Sequence, residues 1–255
     1  MFGIDVSHHQ DPKTLAWDDF AGAVDFVIAR ACYGAELRDR CVVEHVRRGR
    51  AIGAKVGLYI FYRPSQPVEK QYDLFRSVAD LVHLGAGDIV PCVDIEDDPF
   101  PTATPVTRAW NAPVLELVHK LDAAFGVKCM PYLNESDWID LGEPAWLLER
   151  DRPLWIANYT KAPSPKVPRG RAWNIWQHRV SVFDPSGEGG LDKAKERRVL
   201  DQNRANGLPL LGLAPARAAA PVETTGEDDR DWDELRDEVA ARQIPWFDLI
   251  DFKAG

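Results

Sequence analysis

Short apolar runs and longer amphipathic stretches alternate along roughly the first two hundred residues. Eight runs have the length and composition of strands, and four stretches carry apolar residues at three- and four-residue steps, which is typical of helices. The predicted strands are Phe2–Ser7, Phe26–Ala31, Val56–Tyr62, Ile89–Val93, Val127–Leu133, Pro153–Ala157, Trp173–Gln177 and Arg198–Leu200. The predicted helices are Cys41–Gly53, Pro67–Leu84, Asn111–Gly126 and Trp138–Leu148.

This alternation of strands and helices predicts parallel βαβ units. Eight strands over about 200 residues favour a closed barrel over an open sheet. The helices of the second half are shorter than those of the first, so we do not expect a regular barrel. The predicted fold class is α/β, an irregular TIM-like (β/α) barrel.

The chain beyond residue 212 differs in composition from this barrel, residues 1–212. Residues 213–230 are rich in Ala and Pro and then acidic, which predicts a linker. Residues 231–255 form a short acidic and aromatic tail that is too small to fold alone, so we expect it to dock on the barrel or to bind a partner. Residues 221–255 hold 11 acidic and 4 basic side chains, whereas the remainder holds 29 and 27.

The charge distribution argues against a nucleic-acid partner, because neither part has a net basic surface. No window is apolar enough to span a bilayer, so no membrane insertion is expected. The N-terminus lacks the basic and apolar regions of a signal peptide, which predicts synthesis in a cytoplasm and any later export by another route. The cysteines Cys32, Cys41, Cys92 and Cys129 lack metal-ligand spacing, and a Cys32–Cys41 bridge is possible but not required.

The fourth predicted strand runs into four carboxylates within five residues, Asp94, Glu96, Asp97 and Asp98. Residues two apart in a strand point to the same face, so Asp94 and Glu96 are expected to project together. Like charges this close resist joint ionisation, so one carboxyl should keep its proton to a higher pH than a free carboxyl does. A general acid that works near neutral pH needs such a group. A solvated acidic loop is the alternative for this segment taken alone.

Polar residues also follow the other predicted strands at their carboxyl ends, where a parallel barrel places its active face. They are Asp5, Tyr62, Arg63, Asp94, Glu96, Tyr132, Asn134, Tyr159, Gln177, His178, Asp201 and Asn203. Aromatic rings suit the C–H faces of a sugar, and fixed polar groups suit its hydroxyls. Two carboxylates that act on an acetal hydrolyse a glycoside. The pattern therefore favours a glycosidase.

Other roles have weaker support. Trp155 and Trp176 are candidates for stacking on a sugar, although core packing is the commoner role of a single tryptophan. His8 and His9 are adjacent and face opposite sides of a strand, so they make a poor chelating pair and no metal site is predicted. The sequence has no Gly-rich phosphate loop and no nucleophile elbow, and no cofactor is expected.

Five motifs, in order along the chain, resemble the signatures of glycoside hydrolase family 25, the lysozymes (N-acetylmuramidases) of bacteria, fungi and phages. They are Asp5-Val6-Ser7-His8-His9-Gln10, Asp94-Ile95-Glu96, Trp155-Ile156-Ala157-Asn158-Tyr159, Trp176-Gln177 and Asp201-Gln202-Asn203. The resemblance covers residues 1–211 and implies a flattened, irregular β/α barrel. It also implies metal-free hydrolysis of the β-1,4 bond from N-acetylmuramic acid to N-acetylglucosamine in bacterial peptidoglycan.

The resemblance implies roles for individual residues. Glu96 would be the general acid, and Asp94 would stabilise either the developing charge or a substrate N-acetyl group that acts as nucleophile. Asp5 and Asp201 would complete the acidic floor. The saccharide groove would be lined by Tyr62, Tyr132, Asn134, Trp155, Tyr159 and Gln177.

The sequence departs from the family pattern between Gln177 and Asp201, where the gap is long, highly charged and without the family's glycines. The assignment of Asp201 rests on the least support for that reason. Family members without a signal peptide are often phage endolysins released through a holin, so we expect a phage or prophage origin. Two alternatives stay open: a non-catalytic glycan-binding or virion-associated module, and a hydrolase of chitin-type N-acetylglucosamine polymers.

Overall fold

The computed structural model describes residues 1–100, 102–182 and 199–212, so the predicted linker and tail lie outside the described residues. Its strands are β1 Phe2–Val6, β2 Phe26–Tyr33, β3 Leu37–Arg38, β4 Lys55–Phe61, β5 Cys92–Asp94, β6 Met130–Leu133, β7 Trp155–Ala157, β8 Ile175–Val182 and β9 Val199–Ala205. Its helices are α1 Trp17–Phe20, α2 Val42–Ala51, α3 Val68–Leu81, α4 Asn111–Phe125 and α5 Glu135–Asp140. Short 3-10 turns occupy Arg108–Trp110, Ala145–Leu148 and Pro168–Gly170.

The sheet closes on itself. Hydrogen-bonded neighbours follow the order β1-β2-β4-β5-β6-β7-β8-β9, and β9 pairs again with β1, while β3 adds to β2. The pairings from β1 to β8 around the barrel are parallel, whereas β9 is antiparallel to both of its neighbours. The predicted α/β barrel of the TIM type is confirmed, with one strand reversed.

The reversed strand corrects one prediction. The sequence predicts a short strand at Arg198–Leu200 with Asp201 and Asn203 beyond its carboxyl end, but both residues lie inside β9. Asp201 pairs directly with Asp5 of β1. Because β9 runs in the opposite direction, its first half lies at the same end of the barrel as the carboxyl ends of the other strands.

Two other elements differ from their predicted lengths. The strand predicted at Ile89–Val93 is reduced to β5, because Pro91 has no N–H to donate to a ladder. The helix predicted at Trp138–Leu148 is divided into α5 and a 3-10 turn. Gly142 lies between them at a φ of 94°, a left-handed conformation that glycine adopts at little cost.

Alternating side chains along the strands build two apolar layers. The layer inside the barrel includes Phe26, Ile28, Tyr59, Cys92, Met130, Trp155 and Ile175. The layer between strands and helices includes Val27, Leu58, Ile60, Val93, Ile156, Val46, Phe75, Val114 and Leu117. Because side chains alternate, the next inward position after Ile28 is Arg30, after Cys92 it is Asp94, and after Ile175 it is Gln177. The inward series therefore turns polar at one end of the barrel.

All four cysteines are free thiols, so Cys32 and Cys41 are not bridged. Within the part of the chain that the structure describes, no helix combines the length and the apolar character needed to cross a bilayer.

Candidate active site

Four carboxyl groups meet at the polar end of the barrel. Asp5 and Asp94 face inward from β1 and β5 and are each 6% exposed. Asp201 lies opposite Asp5 on β9, and Glu96 follows β5 by two residues. Asp5 and Glu96 act electrostatically on Asp94 and also on Asp201. The structure thus brings together the four acidic residues named from the sequence.

Asp5 is held by two neutral amides. Its Oδ2 accepts a hydrogen bond from Asn203 Nδ2 at 2.6 Å and another from Gln177 Nε2 at 3.1 Å. Burial raises the pKa of Asp5 to about 6, although the two amide hydrogen bonds oppose that rise. Asp5 is therefore an anion at neutral pH.

Aromatic side chains orient both amides. Gln177 Oε1 accepts hydrogen bonds from Tyr132 Oη at 2.9 Å and Tyr159 Oη at 2.6 Å, so its Nε2 is turned toward the carboxylate. Trp155 Nε1 donates to Asn203 Oδ1 at 2.8 Å. An indole N–H can only donate, so it fixes the orientation of the Asn203 amide. One network runs from three aromatic residues through two amides to one carboxylate.

Asp94 has a different environment. Its Oδ1 is buried and has no hydrogen-bond partner among the described residues. Burial, Glu96 and Asp5 raise the pKa of Asp94 well above its ordinary value, whereas Arg30 lowers it. Burial, Asp5 and Glu96 likewise raise the pKa of Asp201. An unpaired oxygen on a buried carboxyl is suited to a bound ligand.

Glu96 follows Asp94 by two residues and is half-buried. The backbone N–H of Ile95 donates to the carbonyl of Tyr132 at 2.9 Å. This hydrogen bond continues the pairing of strands β5 and β6 to the residue directly before Glu96. Burial is the main cause of the raised pKa values of Tyr132 and Tyr159, and the charge of Glu96 adds to both shifts. Glu96 thus adjoins both the buried carboxyls and the aromatic residues of the network.

The rings predicted to line the groove differ in exposure. Tyr159 is 43% exposed, so its ring has a free surface while its hydroxyl is held by Gln177. Trp155 is only 2% exposed and packs edge-on against Tyr132 inside the barrel, with ring centroids 4.7 Å apart. Trp176 is also buried, at 3% exposed. Neither tryptophan offers a face for stacking on a sugar, because packing covers both.

Tyr62 and Asn134, which were also predicted to line the groove, make contacts within the protein. Tyr62 is 1% exposed and lies in the outer layer, packed against Trp110 with ring centroids 5.8 Å apart. Asn134 begins α5, where its Oδ1 accepts a hydrogen bond from the backbone N–H of Asp137 at 2.8 Å. The placement of Tyr62 does not fit a groove, because the outer layer lies on the far side of the sheet.

The sequence reasoning missed the basic side of the site. Arg30 faces inward from β2, donates from Nε to Asp39 Oδ2 at 3.1 Å and contacts His8 Nδ1. The backbone N–H of His8 donates to the same Asp39 oxygen at 2.9 Å. Burial lowers the pKa of His8, so a neutral imidazole is available to accept from Arg30. The one signal was an arginine in the middle of the apolar run Phe26–Ala31.

The site is built for acid–base chemistry on a polar ligand. It combines a half-buried carboxyl, buried carboxyls of raised pKa and neutral donors that are already oriented. Among the residues described, no group of three or more His, Cys, Asp and Glu side chains is arranged to hold a metal ion.

Comparisons with known proteins agree on one family and one fold. Residues 4–185 match the family model described as glycosyl hydrolases family 25. Solved structures of the same fold include the bacterial lysozyme from Streptomyces coelicolor (22% identity, TM-score 0.65, covering 82% of this chain and 93% of that one). The muramidase from Trichobolus zukalii is also similar, with 21% identity and a TM-score of 0.62, and the match covers 81% of this chain and 94% of that one. An endolysin catalytic domain from a bacteriophage of Listeria monocytogenes has the same fold, with 20% identity and a TM-score of 0.57, and the match covers 80% of this chain and 92% of that one. No curated protein sequence matches this chain.

Proposed function

Since this chain belongs to glycosyl hydrolase family 25 and is a glycoside hydrolase, we propose that it cuts the β-1,4 bond between N-acetylmuramic acid and N-acetylglucosamine in peptidoglycan. The lysozyme and muramidase names of the similar structures support this substrate. The observation that carries the proposal is the half-buried Glu96 beside the buried Asp94 at the open end of the barrel. Two carboxyl groups acting on opposite sides of the scissile bond are the usual means of glycoside hydrolysis.

In this proposal Glu96 donates its proton to the oxygen of the leaving sugar. Asp94 has an oxygen without a partner among the described residues, which suits a hydrogen bond to the N-acetyl group of the substrate. That contact would orient the N-acetyl oxygen toward the anomeric carbon. Asp5, with a pKa of about 6, is ionised at neutral pH and stabilises the positive charge that develops in the transition state.

Tyr159 supplies the binding surface in this proposal. Its exposed ring suits the C–H face of a sugar, and its hydroxyl is fixed by Gln177 at 2.6 Å. A ring held at one end loses little conformational entropy when a ligand stacks on it.

The identity of the new reducing end tests the proposed bond. Purified peptidoglycan is digested, the products are reduced with borohydride, and mass spectrometry identifies the terminal sugar alcohol. We expect N-acetylmuramitol. N-acetylglucosaminitol would identify the other glycosidic bond, and equal cleavage of chitin oligomers would identify a hydrolase of N-acetylglucosamine polymers. Binding of peptidoglycan without any cleavage would leave a binding module.

We also propose that the enzyme is an endolysin that reaches the wall after release from the cytoplasm. The similarity to the Listeria phage endolysin domain supports this role. Cells that express the protein should lyse only when a holin-type pore is co-expressed; lysis at the same rate without the pore would contradict it.

A further inference from the structure

Just beyond Glu96 the chain enters a buried ion pair. Asp98 is 1% exposed and Arg63 is 4% exposed. Arg63 Nε donates to Asp98 Oδ2 at 2.9 Å, the hydroxyl of Tyr33 donates to Asp98 Oδ1, and the backbone N–H of Phe100 donates to the same Oδ1 at 3.1 Å. Both oxygens of the carboxylate are thus bound. We call Asp98, Arg63 and Tyr33 the Asp98 clamp.

The cationic side of the Asp98 clamp is itself fixed. The Arg63 backbone donates to Gln71 Oε1 at 3.0 Å and accepts from Gln71 Nε2 at 2.8 Å. The Arg63 guanidinium lies over the ring of Tyr33, 4.7 Å from its centroid. Gln71 is completely buried on α3. The clamp therefore ties the segment after β5 to the ends of β2 and β4 and to α3.

Glu96 lies between two fixed points. On one side, the N–H of Ile95 donates to the Tyr132 carbonyl at 2.9 Å. On the other side, Asp98 exchanges backbone hydrogen bonds with Thr104 at 2.9 and 2.7 Å. The side chain of Asp97 also accepts from the N–H of Val106 at 2.9 Å. The backbone that carries Glu96 is consequently restrained on both sides within two residues.

We propose that Asp98, Arg63 and Tyr33 are positioning residues that set where the Glu96 carboxyl stands over the glycosidic oxygen. This inference rests on the proposed role of Glu96 as general acid. A buried ion pair is weak evidence for stability, because hydrophobic residues of similar volume often stabilise as well or better. Proton transfer, in contrast, requires hydrogen-bond distance, and a displacement of 1 Å can cost about 10²-fold in rate. Placement of the Glu96 carboxyl is therefore a stronger explanation for the Asp98 clamp than a contribution to folding stability.

The test measures kcat and KM of Asp98→Asn on soluble peptidoglycan fragments. Asparagine keeps the shape and can still accept from Tyr33 and Phe100, but it removes the charge that holds Arg63. We expect kcat to fall about 10²-fold and KM to change less than about twofold. The matched control is Asp88→Asn, which removes an ion pair with Arg50 (2.8 Å) away from the acidic site and should keep the wild-type kcat.

A double-mutant cycle separates positioning from general damage. If the clamp acts through Glu96, Asp98→Asn should lower the rate of Glu96→Gln by less than about twofold. An unchanged kcat in folded Asp98→Asn, or the full loss repeated in the Glu96→Gln background, would overturn the inference. If Asp98→Asn does not fold, Tyr33→Phe, which keeps the ion pair, is judged by the same cycle with a several-fold loss expected. Wild-type activity in Glu96→Gln alone would instead overturn the proposed function.

Discussion

At Asp5, burial and hydrogen bonding act in opposite directions on one carboxylate. Two amide donors favour its charge, yet burial raises its pKa to about 6. The unfolded chain binds fewer protons than the folded chain between the ordinary value of 3.8 and about 6, so the contribution of Asp5 to folding stability falls as pH rises through this range. The site thus keeps a charged group at a cost in stability.

The substitution Asp5→Asn tests this cost. We expect the unfolding free energy of the variant minus that of wild type to be about 2.5 kcal/mol larger at pH 8 than at pH 4, because only wild type loses the stabilisation linked to Asp5 as pH rises. Urea denaturation at the two pH values measures the difference, with Asp18→Asn on the exposed side of α1 as the control. A difference between variant and wild type that does not change with pH would contradict the assignment.

The chemical type of the site residues could be predicted from sequence, but their exposure could not. Asp5, Asp94, Glu96 and Asp201 come together as the sequence suggested. The sequence around Trp155 is compatible with both stacking on a sugar and the commoner role of core packing, because a side chain at a strand end faces solvent or interior according to neighbours that are distant in sequence. The structure shows that Trp155 is a core residue, and its indole N–H donates a hydrogen bond to Asn203.

Among the elements, the packing of β1 on β2 places Asp5. Gly3 pairs with Phe26 in the parallel ladder, and a Cβ added at Gly3 would come within 2.4 Å of the Phe26 ring. Glycine is therefore required for close approach at this position, two residues before Asp5.

The substitution Gly3→Ala should disturb this contact. Overpacking of this kind costs about 1–3 kcal/mol, and we expect a lower melting temperature together with reduced activity. Gly207→Ala is the matched control, because a Cβ there meets no atom within 4 Å. The melting temperatures of the two variants are measured by circular dichroism. Equal melting temperatures would refute this account of Gly3.

The elements with strong periodicity were predicted within a few residues, and strand direction was not. Helices α2, α3 and α4 match their apolar stripes. The residues around Asp201 give a strand pattern that is the same for parallel and antiparallel pairing, so β9 could not be oriented from its own sequence. Its direction follows from closure against β1 and β8.

At the scale of the whole molecule, closure of the barrel creates the site. Asp5 and Asn203 are 198 residues apart in sequence and are joined by a hydrogen bond of 2.6 Å. Closure depends on the sum of eight strand pairings, so a sequence can indicate the barrel from strand count without showing which side chains meet across the seam. The family resemblance implied that Asp5 and Asp201 share one acidic floor, but it did not identify the contact between Asp5 and Asn203.

The central claim is that Glu96 is the general acid of a peptidoglycan hydrolase. The most direct measurement is reducing-sugar release from purified peptidoglycan by wild type, Glu96→Gln and the control Glu116→Gln, an exposed position on α4. Loss of a positioned general acid costs about 10²–10⁴-fold, so we expect a fall of that order for Glu96→Gln and none for the control. Equal release by all three proteins would show that Glu96 is not the acid and would contradict the account.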